Sequence, residues 1–312
     1  MKILGISDIH DNLPAVRKLR SREANLYDVV VVAGDIGNKN AAKIFEVLAT
    51  YECPIVYVYG NWDDKLRYDA KLAPRGLHLD LKVYRVGDFN FVGFSGHRVN
   101  WGRNPMFQAH LKNAKKQATA IDRKIIEVEK QKLASEQIAG RRHNQARAKL
   151  QRKMGRLKLR KQELESKLLW NVDQEIEIQQ RRALYELLVG LGDEIKHTIV
   201  ITHERLWRFH EQICGVPLFL FGHTHSFQDA VYKGFRFINV AALGEVSWIY
   251  KSEESEYTYG FNAGSYVTLE VSTDGQISVE SKNLGPIPPG FVDSEATLDG
   301  KYEVHPMESV FH

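Results

Sequence analysis

Short apolar runs recur along the chain, and each one ends abruptly at a polar residue. Five of them are rich in Val, Ile, Leu and Phe: residues 2–7, 27–33, 54–59, 197–202 and 216–221. Continuous apolar runs of this length are typical of strands buried on both faces. Amphipathic helical patterns at residues 13–24 and 39–51 separate the first three runs. This alternation predicts an α/β layered core. Further strands are predicted at residues 82–86, 89–94, 235–240 and 266–271.

The middle of the chain has a different pattern, without a strand signal. Apolar residues recur there three and four positions apart in two stretches: Leu111, Ala114, Ala118, Ile121, Ile125 and Val128, then Leu150, Met154, Leu157, Leu164 and Leu168. Two such seams, separated by AGRRHNQ at residues 139–145, predict an antiparallel coiled-coil helical hairpin. We therefore expect a core of residues 1–103 and 186–290, an inserted basic hairpin of residues 104–185, and a polar tail of residues 291–312.

The residues that follow the predicted strands share one kind of chemistry. In open α/β sheets, ligands bind beyond the carboxyl ends of the strands. The candidates at these ends are Asp8 and His10 (SDIHD), Asp35 (AGDIG), Asn61 (YGNWD), His203 (ITHER), and His223 and His225 (FGHTH). Imidazole combined with carboxylate and amide oxygens suits Mn, Fe or Zn better than Ca or Mg. Seven ligands are too many for one catalytic ion, and they predict two ions about 3.5–4 Å apart.

At these residues the sequence resembles the calcineurin-like metallophosphoesterase superfamily. The family signature runs D-x-H, G-D, G-N-H-(D/E), H and G-H-x-H, and five corresponding blocks occur here in that order between residues 8 and 225. The resemblance implies an α/β fold, a two-sheet sandwich flanked by helices. It also implies a hydrolase acting on phosphate esters with two divalent metal ions, either Mn or else Fe or Zn.

The resemblance further implies roles for the matched residues. It assigns two groups of metal ligands and one bridge: Asp8, His10 and His225 for one ion, Asn61, His203 and His223 for the other, and Asp35 between them. A hydroxide held between the two ions would attack phosphorus in line. Asn61 would also donate a hydrogen bond to a phosphate oxygen. Asp63 is expected to orient a neighbouring group of the catalytic site.

The sequence departs from the family pattern at Trp62, where the family usually has a histidine that contacts the phosphate. In the family this histidine could also protonate the leaving group. Tryptophan cannot do so, because its indole N–H only donates a hydrogen bond. Either His97 and Arg98, which follow a predicted strand, enter the catalytic site as replacements, or the leaving group departs without an acid. Trp62 could also stack on a base, which favours a nucleotide substrate. Simple packing beside the site is the alternative for Trp62.

Charge is distributed unevenly along the chain. Residues 112–167 contain 18 Lys and Arg against 6 Asp and Glu, whereas the rest of the chain contains 25 against 33. Such a basic segment predicts an anionic partner, and Lys and Arg would hold a nucleic-acid backbone without reading its sequence. The alternatives are a solvated coiled-coil surface, an oligomer contact, or a docking surface for a protein partner.

Cysteine content and the N-terminus indicate the compartment. Only Cys53 and Cys214 are present, which argues against a disulfide scaffold and fits a reducing cytosol. Asp8 and His10 come too early for a signal peptide. No apolar run approaches the roughly 20 residues of a membrane helix. We therefore expect a cytoplasmic protein that does not associate with a membrane.

Together, these observations predict metal-dependent hydrolysis of a phosphate ester, with a diester in a nucleotide or nucleic acid preferred. Two alternatives stay open. The chain could be a phosphomonoesterase or protein phosphatase whose hairpin docks partners, or a metal-bound scaffold without turnover. The complete ligand set argues against the scaffold, and turnover would distinguish the three.

Overall fold

The computed structural model describes most of the chain. The described residues are 1–24, 26–68, 70–95, 105–136, 141–204, 215–225, 227–232, 234–244, 246–251, 256–261 and 264–285. The chain divides into two compact units, one formed by Met1–Arg103 with Gln179–His312 and the other by Asn104–Ile178. The domain limits expected from the sequence stay a prediction.

Strands and helices alternate through the first part of the chain. The helices are α1 (Leu13–Arg22), α2 (Ala41–Leu48), α3 (Pro105–Glu136) and α4 (Arg141–Gly190). The strands are β1 (Lys2–Ile6), β2 (Val29–Ala33), β3 (Ile55–Val58), β4 (Gly76–His78), β5 (Val83–Val86), β6 (Phe89–Phe94), β7 (Thr198–Thr202), β8 (Leu218–Phe221), β9 (Phe227–Tyr232), β10 (Phe235–Val240), β11 (Val246–Lys251), β12 (Glu256–Phe261), β13 (Ser265–Val271) and β14 (Ile277–Asn283). None of the described helices is long and apolar enough to cross a membrane.

The described strands of the larger unit form two mixed sheets and a small ribbon. The first sheet has the order β14-β13-β1-β2-β3-β4, and the second has the order β5-β6-β7-β8-β10-β9. Strands β1 to β4 are parallel, as are β6, β7, β8 and β10, while the remaining strands of both sheets pair antiparallel at the edges. Each sheet therefore presents the carboxyl ends of its parallel strands at one edge.

The core fills the space between the two sheets and the space under the helices. All five residues of β2 are buried. Val29 and Val31 belong to the apolar layer that contains Ile199 and Ile201 of the second sheet. Val30, on the opposite face of β2, packs in the layer that covers α1 and α2. Because both faces of the strand are covered, its sequence is continuously apolar. The two-sheet α/β sandwich flanked by helices is thus confirmed.

The loop between β1 and α1 is held at both of its ends. Asn12 accepts a hydrogen bond from the Ala15 amide at 3.0 Å and so caps the first turn of α1. The amides of Asp8 and Ile9 donate to the carbonyls of Gly34 and Asp35 at 3.1 and 2.9 Å. These contacts fasten the loops that follow β1 and β2 to each other.

The smaller unit consists of α3 and most of α4. Its least exposed side chains follow the predicted three-and-four spacing, with Ala114, Ile121 and Val128 buried on α3 and Met154 on α4. Lys161 Nζ of α4 lies 2.8 Å from Asp122 Oδ1 of α3. These contacts are those expected of antiparallel neighbours, and the coiled-coil hairpin stays a prediction.

Candidate metal centre

Predicted ligands from both sheets converge at the carboxyl ends of the strands. Three strands of the first sheet and two of the second are each followed by ligand-type side chains: Asp8 and His10 after β1, Asp35 after β2, Asn61 after β3, His203 after β7, and His223 and His225 after β8. β1 pairs in parallel with β2, β2 pairs in parallel with β3, and β7 pairs in parallel with β8. The loops that follow these strands therefore lie at the carboxyl edge of each sheet. The structure therefore collects all seven predicted ligands into one cluster.

One half of the cluster is formed by Asp8, His10 and His225. His225 Nε2 lies 3.3 Å from Asp8 Oδ1, and His10 Nε2 lies 3.8 Å from the same oxygen. The Nε2 atoms of the two imidazoles are 3.2 Å apart. Within the described part of the chain, these three residues form one of two groups of histidines and carboxylates whose ligand atoms lie within 4.8 Å of one another, and Asp8, Asp35 and His203 form the second. They could share a single cation.

The other half of the cluster is formed by Asn61, His203 and His223. Asn61 Oδ1 lies 3.0 Å from His203 Nε2 and 3.2 Å from His223 Nδ1. The two imidazole nitrogens are 3.3 Å from each other. One oxygen and two nitrogens thus point to a common centre.

Asp35 lies between the two halves. Its Oδ1 atom is 3.5 Å from His203 Nε2, and its Oδ2 atom is 3.8 Å from His10 Nε2. The backbone amide of Trp62 donates to Oδ1 at 2.8 Å and so fixes the carboxylate. A carboxylate with one oxygen directed to each half is arranged as a bridging ligand would be.

The unsatisfied atoms of the cluster fit divalent cations. Asp8 Oδ1 is buried and has no hydrogen-bond partner among the described residues. Buried polar atoms are nearly always paired, so a buried carboxylate oxygen without a hydrogen-bond donor is suited to bind a cation. The facing Nε2 atoms of His10 and His225, 3.2 Å apart, can share one proton in a hydrogen bond, and a cation would let both lone pairs bind it instead. The mixture of oxygen and nitrogen donors suits Mn, Fe or Zn.

The ligand loops have an unusual backbone conformation. Five predicted ligands have a positive φ: Asp8 (50°), His10 (49°), Asp35 (52°), His223 (73°) and His225 (63°). The left-handed region is uncommon for residues other than glycine, although Asp and His enter it more readily than most. Each such residue costs about 1–3 kcal/mol, and such strain concentrates at functional sites. Here this backbone conformation directs the side chains of Asp8 and His10, and those of His223 and His225, towards the same centre.

Two motif glycines are required by close packing against the ligands. A Cβ atom at Gly60 would collide with the carboxylate of Asp35, and one at Gly222 would collide with Ser7 and Asp8. The glycines that precede Asn61 and His223 in the sequence are therefore needed to let the loops approach the carboxylates.

Hydrogen bonds around the cluster fix the imidazole rings. His203 Nδ1 lies 2.9 Å from the carbonyl oxygen of Ala33, to which it must donate. The proton is thereby held on Nδ1, so the lone pair of Nε2 is directed into the cluster, where it could bind a cation. His223 presents Nδ1 to the cluster, and its Nε2 lies 4.0 Å from Glu204 Oε1. Glu204 was not predicted to lie at the site. The only feature of the sequence that points to it is its position directly after His203.

Asn239 holds the loop that carries the last two ligands. Its side chain is buried at the end of β10 and donates to Gly222 O at 2.8 Å and to Thr224 Oγ1 at 2.6 Å. Its Oδ1 accepts from the Ala241 amide at 2.8 Å. Thr224 stands between His223 and His225, so Asn239 orients both of them. Asn239 was not predicted from the sequence, although it is a side-chain amide within the apolar run FRFINVAAL.

Asp63 connects two loops of the cluster. Its buried carboxylate accepts hydrogen bonds from the amides of Gly37 and Gly60, each at 2.8 Å. Burial raises the pKa of Asp63 to about 7, and the nearby Asp35 carboxylate acts in the same direction. These contacts are of the kind expected of an orienting residue.

Burial and charge set the protonation of the ligands. Burial acts to raise the pKa of Asp8, but the neighbouring imidazoles, His225 first, hold it below its usual range. Burial lowers the pKa values of His10 and His223. Burial also acts to lower the pKa of His203, but the carboxylates of Asp35 and Asp8 and the carbonyl of Ala33 together outweigh it and hold that pKa above its usual value. At Asp8, His10 and His223 these shifts favour the ionised carboxylate and neutral imidazoles that bind metal ions, whereas His203 would release a proton on binding one.

Trp62 lies beside the first half of the cluster. Its indole ring meets the His10 ring edge-on, with 4.8 Å between centroids, and 49% of the residue is exposed. A flat apolar surface therefore stands open to solvent next to the ligands. His97 and Arg98, the predicted replacements for the family histidine, lie outside the described residues.

The fold and the donor set together define a class of protein: an α/β sandwich with a candidate dinuclear metal centre at its strand ends. The chain belongs to the calcineurin-like phosphoesterase superfamily, because the model of that superfamily's domain matches residues 1–157. The matched part contains Asp8, His10, Asp35 and Asn61. No curated protein matches the chain significantly.

Several solved structures are similar in fold. A conserved Streptococcus pneumoniae protein, described as a predicted phosphoesterase, shares 13% identity over 93% of this chain and 94% of its own, with a TM-score of 0.36. Vps29 from Entamoeba histolytica, complexed with zinc, shares 13% over 91% and 100%, with a TM-score of 0.34. A putative 5′-nucleotidase from Staphylococcus aureus shares 11% over 96% and 57%, with a TM-score of 0.43. These similarities are too distant to transfer a substrate.

Proposed function

We propose that this chain hydrolyses phosphate esters at the metal centre and prefers diesters to monoesters. The observation that carries the proposal is the arrangement of Asp35 between two groups of ligands, with 3.5 Å to His203 on one side and 3.8 Å to His10 on the other. Two divalent ions, with Mn expected first, would supply a nucleophile at neutral pH and neutralise charge on the phosphoryl oxygens.

Residues of the chain itself supply the charge, the orientation of the ligands and the contact to the phosphate. Asp35 and Asp8 keep negative charge at the centre, and His203, fixed by Ala33, keeps Nε2 directed inward. Asn61 can also donate from its amide nitrogen to a phosphate oxygen, because its Oδ1 is the atom that faces the two imidazoles. Asp63 and Asn239 hold the loops in place.

The preference for a diester rests on Trp62. The family pattern has a proton-transferring histidine at this position, and an indole cannot replace it. A substrate with a good leaving group, or with an aromatic group that stacks on the half-exposed indole, would suit such a site. We therefore favour a nucleotide-containing diester, with a nucleic acid as the macromolecular case.

The test compares two chromogenic substrates with Mn²⁺ added: bis-p-nitrophenyl phosphate, a diester, and p-nitrophenyl phosphate, a monoester. We expect faster turnover of the diester, and its loss in Asp35→Asn. Asp88→Asn, an exposed aspartate in the turn between β5 and β6, removes the same charge and serves as the control. It should retain the turnover of the unsubstituted protein.

Each other outcome selects a different function. Turnover of the monoester alone would establish a phosphomonoesterase, with the hairpin as a docking device for protein partners. Binding of Mn²⁺ without turnover of either substrate would favour a scaffold. Turnover that survives Asp35→Asn would place the chemistry elsewhere in the chain and contradict the proposal.

A further inference from the structure

A stripe of cations lies on one face of α4. Residues 141–161 contain ten Lys and Arg and no Asp or Glu. Five of these cations are exposed and spaced three or four positions apart along the helix: Lys149, Arg152, Lys153, Arg156 and Arg160. Residues at this spacing share one face of a helix. We call these five residues the basic stripe.

The charge of the basic stripe is uncompensated. None of its five members has an ion pair within the part of the chain that the structure describes, whereas Lys161, on another side of the helix, pairs with Asp122. A helix face that is merely solvated usually carries both signs, since Glu–Lys pairs four apart stabilise it. Residues 112–136 follow that rule more closely, with seven Lys and Arg and four Asp and Glu.

The dimensions of the basic stripe match a polyanion with regular charges. From Lys149 to Arg160 the helix rises about 16 Å at 1.5 Å per residue. One strand of a nucleic-acid duplex places a phosphate about every 3.4 Å along the axis, so about five phosphates span this length. Three of the five cations are arginine, whose planar guanidinium binds a phosphate through two parallel hydrogen bonds.

Other anionic partners fit less well. A membrane surface is bound by a helix that presents an apolar face beside its cations. The apolar seam of α4 contains Met154, which is buried within the smaller unit and cannot insert, and Leu159 is the one large apolar side chain of residues 145–164 that is exposed beside the basic stripe. A single leucine does not make an apolar face. An acidic protein would offer carboxylates without the regular spacing of a phosphate backbone.

We propose that the basic stripe binds the phosphodiester backbone of a nucleic acid without regard to base sequence. The inference deepens the proposed function by naming the macromolecule. Its connection to hydrolysis rests on that function, but the binding itself does not, because it needs neither metal ions nor Asp35.

The experiment measures binding of the full-length protein to fluorescein-labelled DNA of mixed sequence, about 20 nucleotides long, by anisotropy in EDTA. Single-stranded and duplex probes are both titrated at roughly 50 to 200 mM salt, the range over which phosphate contacts change affinity most visibly. The test variant combines Arg152→Gln, Lys153→Gln and Arg156→Gln. The matched control combines Lys116→Gln, Arg123→Gln and Lys130→Gln, which removes the same charge from exposed positions of α3.

We expect the test variant to bind at least about tenfold more weakly than the unsubstituted protein at the lowest salt. The slope of log K against log salt should fall by about 2.7 on duplex DNA, since each phosphate contact contributes roughly 0.9. The control should bind within about twofold of the unsubstituted protein. Glutamine is a good helix former, so both variants should keep their helical circular dichroism.

Four results would overturn the inference. Equal weakening in both variants would show that only total charge matters, and unchanged binding in the test variant would exclude the basic stripe. Absence of DNA binding, or tighter binding to anionic vesicles or polyglutamate than to DNA, would exclude a nucleic-acid partner. DNA binding that persists without turnover of bis-p-nitrophenyl phosphate would refute the proposed function alone, and turnover without DNA binding would refute this inference alone.

Discussion

Two buried charged clusters in the larger unit differ in how completely the protein satisfies them. Around Glu23 each carboxylate oxygen has a donor: the Tyr27 hydroxyl reaches Oε2 at 2.5 Å, and the Tyr266 hydroxyl and the Lys282 ammonium reach Oε1 at 2.8 and 3.1 Å. In the metal centre, Asp8 Oδ1 has no hydrogen-bond partner among the described residues. One cluster is complete in itself, and the other leaves a buried carboxylate oxygen available to a cation.

The difference shows that a buried charge does not by itself indicate function. The Glu23 cluster joins the end of α1 to β13 and β14, and its role is stability. Burial acts to raise the pKa of Glu23, but hydrogen bonds from Tyr27, Tyr266 and Lys282 hold it below its usual range. In the metal centre the strained backbone and facing imidazoles favour binding over stability. The contrast can be tested by substituting Asp8 in one cluster and Glu23 in the other.

The largest effect is expected for Asp8→Asn. Without the Asp8 charge at the centre, we expect turnover to fall by roughly 10³-fold, as when a group that stabilises transition-state charge is removed. The unfolding free energy of the metal-free protein at pH 8 should change by less than about 1 kcal/mol, because the substituted oxygen has no partner and the amide keeps an acceptor for His223 N. Urea unfolding measures this.

The same variant should lose its response to metal ions. Mn²⁺ at about 100 times its dissociation constant would stabilise the unsubstituted protein by about 2.7 kcal/mol. Thermal unfolding with and without Mn²⁺ should show this shift for the unsubstituted protein and for Asp88→Asn, but not for Asp8→Asn. A large loss of stability in metal-free Asp8→Asn would mean that this carboxylate is structural, as Glu23 is.

Glu23→Gln should behave in the opposite way. The amide has one acceptor oxygen and no charge, so a tyrosine hydroxyl would have to turn and accept from the amide NH2, and Lys282 would lose its counter-charge, at a cost of roughly 2 kcal/mol of unfolding free energy. Glu46→Gln, at an exposed position of α2, is the matched control and should change it by less than about 0.5 kcal/mol. Urea denaturation distinguishes them, and turnover of bis-p-nitrophenyl phosphate should stay within about twofold in both.

The pH dependence of the Glu23 effect has a definite sign. Because the pKa of Glu23 is lower in the folded protein than in the unfolded chain, the unfolded chain takes up the proton first as pH falls. The advantage of the unsubstituted protein over Glu23→Gln is therefore complete well above the ordinary glutamate pKa of about 4.3. It should disappear as pH falls through the folded-state value. A difference that grows in acid would contradict this account of the cluster.

Asn239→Ala tests the support of the metal centre. Losing the bonds to Gly222 O and Thr224 Oγ1 should loosen the loop of His223 and His225. We expect about tenfold weaker Mn²⁺ binding, at the lower end of the effect of removing groups that orient metal ligands. Isothermal titration with Mn²⁺ measures this independently of turnover. Asn239→Asp keeps the acceptor for the Ala241 amide but has no N–H to donate to Gly222 O, so it should not recover the binding lost in Asn239→Ala if orientation is the cause.

The sequence predicted much of the fold because the buried parallel strands have a strong apolar signal. All five residues of β2 are buried, and the corresponding run of valines was recognised. β4 was missed because it has only three residues, and β14 because its residues are mostly polar and only partly buried. β9 was missed for a similar reason, as it lies at the edge of its sheet with Val231 72% exposed. Short or edge strands depend on pairing partners that are distant in the sequence.

The ligand types of the candidate site were predictable, but the contacts that hold them were not. The D-x-H and G-H-x-H blocks carry the ligands themselves in their sequence. Glu204 and Asn239 gain their positions only when β7, β8 and β10 pair in the second sheet. Their partners, His223 and Thr224, are separated from them by 19 and 15 residues. No local pattern encodes contacts of that kind.

Trp62→Ala is expected to have the smallest of the predicted effects, and it bears on the substrate. The half-exposed indole beside His10 offers a surface on which a base can stack, at roughly 1 kcal/mol for a partial contact. Two substrates with the same leaving group measure it: thymidine 5′-p-nitrophenyl phosphate and methyl p-nitrophenyl phosphate. Trp62→Ala should raise KM about fivefold for the first and leave KM for the second within about twofold.

The matched pair of substrates separates stacking from damage to the metal centre. Because Trp62 N holds Asp35 through the backbone, the alanine variant keeps that hydrogen bond, and kcat for the methyl diester should be preserved. Trp62→Phe should show only a small part of this rise in KM for the thymidine diester, since a phenyl ring also stacks. Equal losses on both substrates would mean that the indole only packs against His10, and the case for a nucleotide would then depend on the basic stripe alone.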